Sequence, residues 1–297
     1  MPEHRIDLHA AKAFMAGHAR LLDRYRLLHL LGEGDPAQVL GALDAYRNPD
    51  GGFGWGLEPD LRSAASQPVG AMHAMEVLAE CAPATSPRAV ELCDWLQAHT
   101  LGDGGLPFAL PVQDPGGTSP IWTGADPARS SLQMTSQVAA HAHRLAPHQP
   151  EVASHPWLSA ATEHCLQAIE RTEEPHAFAL MFSLRFLDAT APDLPAADAA
   201  LDRLGRHVPA DGVLAVAGGA EGEVLRPHDL SPWPGLPSRR LLSAEVLAAD
   251  LDRVAAEQQG DGGWVVLFEP GSPAAALEWR GYATVSAVEI LMRAGRA

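Results

Sequence analysis

The sequence turns back on itself at near-regular intervals. Asp-Gly pairs, which favour tight turns, stand at Asp50-Gly51, Asp103-Gly104, Asp211-Gly212 and Asp261-Gly262. The first two are 53 residues apart, the last two 50, and the inner interval of 108 is close to two periods. Three of the four read Asp-Gly-Gly followed by an apolar residue: Phe53, Leu106 or Trp264. The missing turn would fall near residue 157, where Ser-His-Pro-Trp-Leu stands instead. A period of this length marks a supersecondary unit that buries its apolar stripe only by stacking on neighbours.

Helices fill the periods. Residues 7–31 place apolar side chains at i, i+3 and i+4. Asp35-Pro36 and Ser86-Pro87 each offer an N-cap followed by proline at the first helical position. Further helices are expected over 66–81, 130–146, 156–171, 175–189, 195–206, 243–258 and 283–294. Valine and isoleucine are sparse, and strand-like alternation is hardly seen. The unit is helix, Gly-rich loop, helix, and the fold expected is all-α. Such units can stack as an open solenoid or close into a ring.

Composition narrows the partners. The chain of 297 residues is long enough for a substantial core. A formal net charge of −16 argues against nucleic acid and anionic membranes as partners. No run of about 18 apolar residues suggests a membrane span. The single lysine, Lys12, is poorly placed for Schiff-base or phosphate-loop work. Cys81, Cys93 and Cys165 are odd in number and widely spaced, so buried thiols in a reducing compartment are expected rather than disulfides. With no apolar signal core at the N-terminus, the expected location is cytoplasmic.

The last turn reads Gln258-Gln-Gly-Asp-Gly262-Gly-Trp264. This Gln-x3-Gly-x-Trp resembles the repeat motif of triterpene cyclases, with a degenerate copy at Arg47, Gly51 and Phe53. The stretch Asn48-Pro-Asp-Gly-Gly-Phe-Gly54 also resembles the prenyltransferase and squalene-oxidase repeat. The resemblance covers clear repeats at the two ends and weaker ones between. It implies one α/α toroid over residues 1–297: inner helices ring a central cavity, outer helices wrap them, and Gly-rich loops tie the layers. It also implies a small-molecule ligand in that cavity. A glutamine at a helix end can bond free backbone groups of a neighbouring turn, and glycine permits φ > 0. Phe53 and Trp264 are accordingly expected to be clasp residues. The family's Asp-x-Asp-Asp protonating motif and its Asp-rich magnesium motif are both absent. Asp250-Leu-Asp252 reads as a solvated face beside Arg253, and Cys93-Asp94 has the wrong spacing for the prenyltransferase zinc pair. No metal and no cofactor are expected.

Candidate chemistry follows the glycine turns. Glu58, Asp60 and Arg62 come after the first, and Glu278, Trp279 and Arg280 after the last. Each cluster precedes an expected inner helix, opening at Ser66-Gln67 or Thr284. In the functional reading Asp60 or Glu58 is a general acid, its pKa raised by an apolar wall. Glu278 is then its partner, and Arg62 and Arg280 orient the substrate. In the structural reading both clusters are ion pairs or caps that fix the loops. A meeting of the two at one mouth would favour a site. The loop in 120–137 adds Trp122, Asp126, Arg129 and Gln133. The Pro-rich loop 225–240 adds His228, Asp229 and Trp233 where an inner helix is expected, and so is able to close the cavity. On a helix, His141 and His143 point to different faces, which disfavours a metal site. No nucleophile elbow, zinc-protease motif, dinucleotide fingerprint or phosphate loop is visible.

Three functions stay open. The first is a terpene-cyclase-like enzyme for an apolar or isoprenoid-like substrate, using metal-independent acid–base chemistry. The second is an α/α-barrel enzyme on a polar, sugar- or peptide-like substrate, marked by a polar cavity. The third is a non-catalytic repeat scaffold, its cavity plugged by its own side chains. Aromatics make up only 6% of the chain, which weighs against the first, because cation-guiding pockets are lined with them. The oligomeric state is left open.

Overall fold

The computed structural model describes residues 5–191, 194, 196–268 and 270–297. The helices are α1 (Leu8–His18), α2 (Leu21–Leu30), α3 (Pro36–Leu43), α4 (Pro68–Glu80), α5 (Pro87–Ala98), α6 (Pro120–Thr123) and α7 (Leu132–Leu145). They continue with α8 (Pro150–Ala153), α9 (Pro156–Arg171), α10 (Ala177–Thr190), α11 (Ala196–Gly205), α12 (Pro227–Leu230), α13 (Ala244–Ala256) and α14 (Pro273–Arg293). Among the described residues the only paired strands are a two-residue hairpin, Leu214–Ala215 with Val224–Leu225. The helix starts follow one recipe. Asp35, Ser86, His155 and Ser272 each accept a backbone N–H of the first turn, with proline directly behind.

These helices form an α/α toroid. The inner layer is α2, α4, α7, α10 and α14, and the outer layer is α1, α3, α5, α9, α11 and α13. Helix α7 packs between α4 and α10, while α14 packs on α1, α2 and α13. The sixth inner position holds a strap, residues 226–242, made of α12 and the 3-10 turn Pro237–Leu241, which packs on α10, α11 and α13. One apolar core surrounds Phe53, Trp157 and Phe186, and a second surrounds Phe14 and Trp264. The expectation that Phe53 and Trp264 pack rather than stack on ligand agrees with their 0% and 3% exposure.

The Asp-Gly-Gly turns share one geometry. In each, the aspartate Oδ1 accepts the N–H of the second glycine: Asp50 from Gly52, Asp103 from Gly105, Asp261 from Gly263. The first glycine has φ of +90°, +86° or +94°, a region that excludes most side chains. The ring closes at the last turn. Gln258 Nε2 donates to the Asp7 carbonyl (2.9 Å) and to the Gly262 carbonyl (3.0 Å), and its Oε1 accepts the Asp7 N–H (2.8 Å).

Three boundaries differ from expectation. The span 7–31 is two helices, because Ala19 and Arg20 are extended and the chain crosses there from outer to inner layer. Periodicity alone cannot separate one long helix from two that feed the same core. The helix expected at 283–294 begins ten residues earlier, at Pro273, because Ser272-Pro273 supplies the cap. Glu278, Trp279 and Arg280 are therefore on a helix, not in a loop before one. The helix expected over 195–206 is described from Ala196 to Gly205, and residue 195 lies outside the described residues.

Candidate functional site

The two clusters meet. Arg62 grips the Glu278 carboxylate with Nη1 and Nη2 at 2.9–3.1 Å. Asp60 Oδ2 accepts the Trp279 indole N–H (2.7 Å) and Oδ1 accepts the Gly271 N–H (2.9 Å). The Asp60 carbonyl accepts from Ser119 N (2.8 Å), which brings the loop before α6 to the same place. Three loops and the start of α14 thus converge on Asp60 at one mouth of the ring.

Arg280 does not join them. Its Nη2 donates to Asp261 (2.7 Å), its Nε donates to the Trp264 carbonyl (3.2 Å), and the guanidinium lies over Phe14. It belongs to the outer clasp.

Below the mouth a chain of ionisable groups runs inward. Glu58 is 5% exposed; its Oε1 accepts the Asp60 N–H (3.1 Å), and its Oε2 accepts from His73 Nε2 (3.0 Å). His73 Nδ1 stands 3.6 Å from Glu76. Glu76 accepts the Tyr282 hydroxyl (2.8 Å) and pairs with Arg26 at 3.3 Å. Arg26 also holds Glu80 with two bonds, at 2.6 and 2.8 Å. On α4, His73, Glu76 and Glu80 are spaced i, i+3 and i+7, one stripe on a helix. Trp279, Phe268 and Tyr282 stack edge-to-face beside the stripe, with ring centroids 5.3 and 5.6 Å apart.

The electrostatics divide these groups. Burial alone would discharge His73, but its hydrogen bond to Glu58 and the nearby Glu76 carboxylate outweigh burial and raise its pKa. Burial opposes the Glu76 charge too; Arg26 and His73 overcome it and hold this carboxyl well below its ordinary value. For Glu80, burial wins over Arg26 and the pKa rises. Burial and the neighbouring Glu76 push the Tyr282 phenol well above its usual value, so it stays a hydrogen-bond donor. Across the axis, burial pushes His141 down to about 3, with Arg144 and Arg185 opposing its protonation. Glu76, Tyr282, His141, Arg144 and Arg185 all keep part of their surface accessible, although the inner helices that carry them are otherwise largely buried.

The remaining sequence candidates lie elsewhere. Trp122 stacks on Phe108 at 4.8 Å. Arg129 is exposed, and Asp126 accepts the Ala128 N–H within its own loop. Gln133 is half-buried at the start of α7. Trp233 is held between Arg144 and Arg293, each 4.4 Å from its ring. His228 is buried, and its Nδ1 donates to Asp250 at 2.8 Å. That contact corrects the reading of residues 250–252 as a solvated face: Asp252 is exposed, but the strap covers Asp250. Asp229 accepts the Arg226 N–H and lends its carbonyl to Arg185. Sequence reasoning missed Arg26, His73, Glu76, Tyr282, Arg144 and Arg185, and weighed His141 only as a metal ligand. The visible signal was a polar stripe on α4 inside an apolar run. Among the described residues no group of three or more His, Cys, Asp or Glu is arranged to hold a metal ion, and no helix is long and apolar enough to cross a membrane.

This architecture is an all-α toroid. The chain is similar to a type II terpene cyclase from Scytonema, solved as a variant in complex with its product merosterolic acid A. The TM-score is 0.54 at 14% identity, covering 96% of this chain and 86% of that one. No family model and no curated protein matches the sequence. At that identity the likeness is one of fold.

Proposed function

We propose that the chain is a one-domain enzyme that binds a polar small molecule on the toroid axis and acts on it by proton transfer. The observation that carries this reading is the line Glu58–His73–Glu76–Tyr282, a relay leading from the mouth to the axis. An imidazolium between two carboxylates is a proton store: Glu58 and Glu76 keep the His73 ring charged, and the Tyr282 phenol beside Glu76 is a donor. Glu58 keeps the acid–base role expected from sequence. Asp60 and Glu278 act instead as positioning residues: both Asp60 oxygens hold the mouth together, and Arg62 neutralises Glu278. Arg62 and Trp279 shape the entrance.

The test is native mass spectrometry of the purified chain, beside Glu76→Gln and Tyr282→Phe. A polar compound that copurifies with the wild type and is lost or accumulates unconverted in the variants supports the reading. A hydrophobic cargo supports a second reading, a terpene-cyclase-like reaction. That alternative is favoured by the aromatic wall of Trp279, Phe268 and Tyr282 and by the fold shared with the Scytonema cyclase. Failure to retain any polar compound, together with variants indistinguishable from wild type, sinks the first reading.

A further inference from the structure

Among the described residues three arginines on the inner helices stand without a carboxylate: Arg24 at the start of α2, whose Nε donates to the Ala19 carbonyl, and Arg144 and Arg185 deeper in the ring. Arg26 on α2, Arg62 at the mouth and Arg293 on α14 each grip one. Arg144 on α7 and Arg185 on α10 have none within 4.0 Å among the described residues. Acids are not scarce in a chain with 37 of them against 21 lysines and arginines. A largely buried cation with no direct partner is costly; Glu289, Glu80 and Glu76 act on Arg144 only from beyond contact distance.

Both guanidinium groups are fixed by other means. Arg185 Nε and Nη2 donate to the Asp229 carbonyl at 3.0 and 2.7 Å, which leaves Nη1 uncommitted. Arg144 lies 4.4 Å over Trp233, whose ring also carries Arg293, and makes one long contact of 3.4 Å to His141 Nδ1. Most of its five N–H donors remain uncommitted. His141 accepts that contact at Nδ1, so a neutral ring carries its proton on Nε2, which has no hydrogen-bond partner among the described residues. Planar N–H forks with donors to spare, beside an imidazole N–H that has no partner, match the geometry of an oxyanion.

We propose that Arg144, Arg185 and the Nε2–H of His141 form a receptor for an oxyanion group of the substrate, a carboxylate or a phosphate. The receptor rests on the proposed function, because it names the handle by which an axis ligand is held. Trp233 backs Arg144 at the strap side, and His141 and Arg185 act electrostatically on Glu76 and Tyr282 across the axis. A molecule anchored here lies within reach of the relay.

The test is calorimetric titration of the full chain, in an oxyanion-free buffer, with inorganic phosphate and separately with benzoate. Wild type is expected to bind at least one, and affinity is expected to fall about tenfold or more in Arg144→Gln and Arg185→Gln. Arg144→Lys, which keeps the charge but not the fork, should recover part of the loss. Heat with phosphate alone identifies a phosphoryl handle, and heat with benzoate alone a carboxylate. Arg185 also anchors the strap, so Arg144→Gln carries the decision if Arg185→Gln does not fold. Absence of binding by wild type, or binding undiminished in Arg144→Gln, overturns the receptor. Arg129→Gln, an exposed arginine outside the axis, should bind the probes as wild type does. Probe binding that survives while Glu76→Gln and Tyr282→Phe behave as wild type would defeat the relay and leave the receptor standing.

Discussion

The first and last Asp-Gly-Gly turns are built alike, yet the arginines that follow them do different work. At the first turn, Ser66 Oγ donates to Asp50 Oδ1 (2.8 Å) and Gln67 N–H donates to the Phe53 carbonyl (3.0 Å). At the last, Arg280 does both jobs: Nη2 on Asp261 Oδ1 and Nε on the Trp264 carbonyl. Helix α4 starts at Pro68, so the backbone at clasp height still has a free N–H to give. Helix α14 starts at Pro273, so at the same height its backbone is already committed to the helix, and a side chain must substitute. Arg280 is drawn to the outer wall, while Arg62 is left to reach the mouth. Where the inner helix begins decides whether an acid–arginine cluster serves the wall or the axis.

The largest expected effect concerns the wall. A Cβ on Gly262 would lie 2.2 Å from the Ala10 backbone at φ +94°, whereas one on Gly51 would lie 3.2 Å from the Glu91 carbonyl at φ +90°. Gly262→Ala should cost about 3 kcal/mol or more, because it also opens the ring closure, and Gly51→Ala about 1–2 kcal/mol. Denaturant unfolding of both variants measures the difference. Equal losses would mean that ring closure carries no special weight.

The axis should differ from the wall in its response to pH. His141 keeps a folded pKa of about 3 against an ordinary 6.5. As pH falls below 6.5 the unfolded chain takes a proton that the folded chain refuses, so stability declines, by about 2 kcal/mol near pH 5. His73 has the opposite sign: its raised pKa adds stability that is present below 6.5 and lost as pH rises through the folded value. Thermal melts across pH should show a shallower acid limb in His141→Gln and a shallower alkaline limb in His73→Gln. Arg280→Ala should leave the alkaline limb unchanged and alter the acid limb only through Asp261, whose carboxyl Arg280 holds below its ordinary value.

This contrast also explains what could be read from the sequence. The wall is local: an aspartate, two glycines, and a capped proline helix start lie within a few residues of one another, so the repeat and the all-α toroid were legible. The start of α14 lies not at Thr284 but at Ser272-Pro273, which carries the same signature as Ser86-Pro87. The axis is not local. His73, His141, Arg185 and Tyr282 come from four helices, and only tertiary packing, with ring closure for Tyr282, brings them together. Asp60 and Arg62 could be singled out because they sit beside a turn, but their partners Trp279 and Glu278 lie more than two hundred residues away.

The two arginines give the smaller and sharper tests. Arg280→Ala removes two hydrogen bonds from a clasp and should cost about 1–2 kcal/mol of stability, with no change in ligand retention. Arg62→Ala breaks a partly exposed pair, with side chains 25% and 19% accessible, and should cost under about 1 kcal/mol. Its consequence is expected in ligand exchange. With Arg62 gone, Glu278 loses its counter-charge beside the Asp60–Trp279 bond, the mouth loosens, and a copurifying ligand should leave faster in a dilution experiment followed by native mass spectrometry. If Arg280→Ala releases ligand as readily as Arg62→Ala, wall and axis are not separate, and the clasp must be counted as part of the entrance.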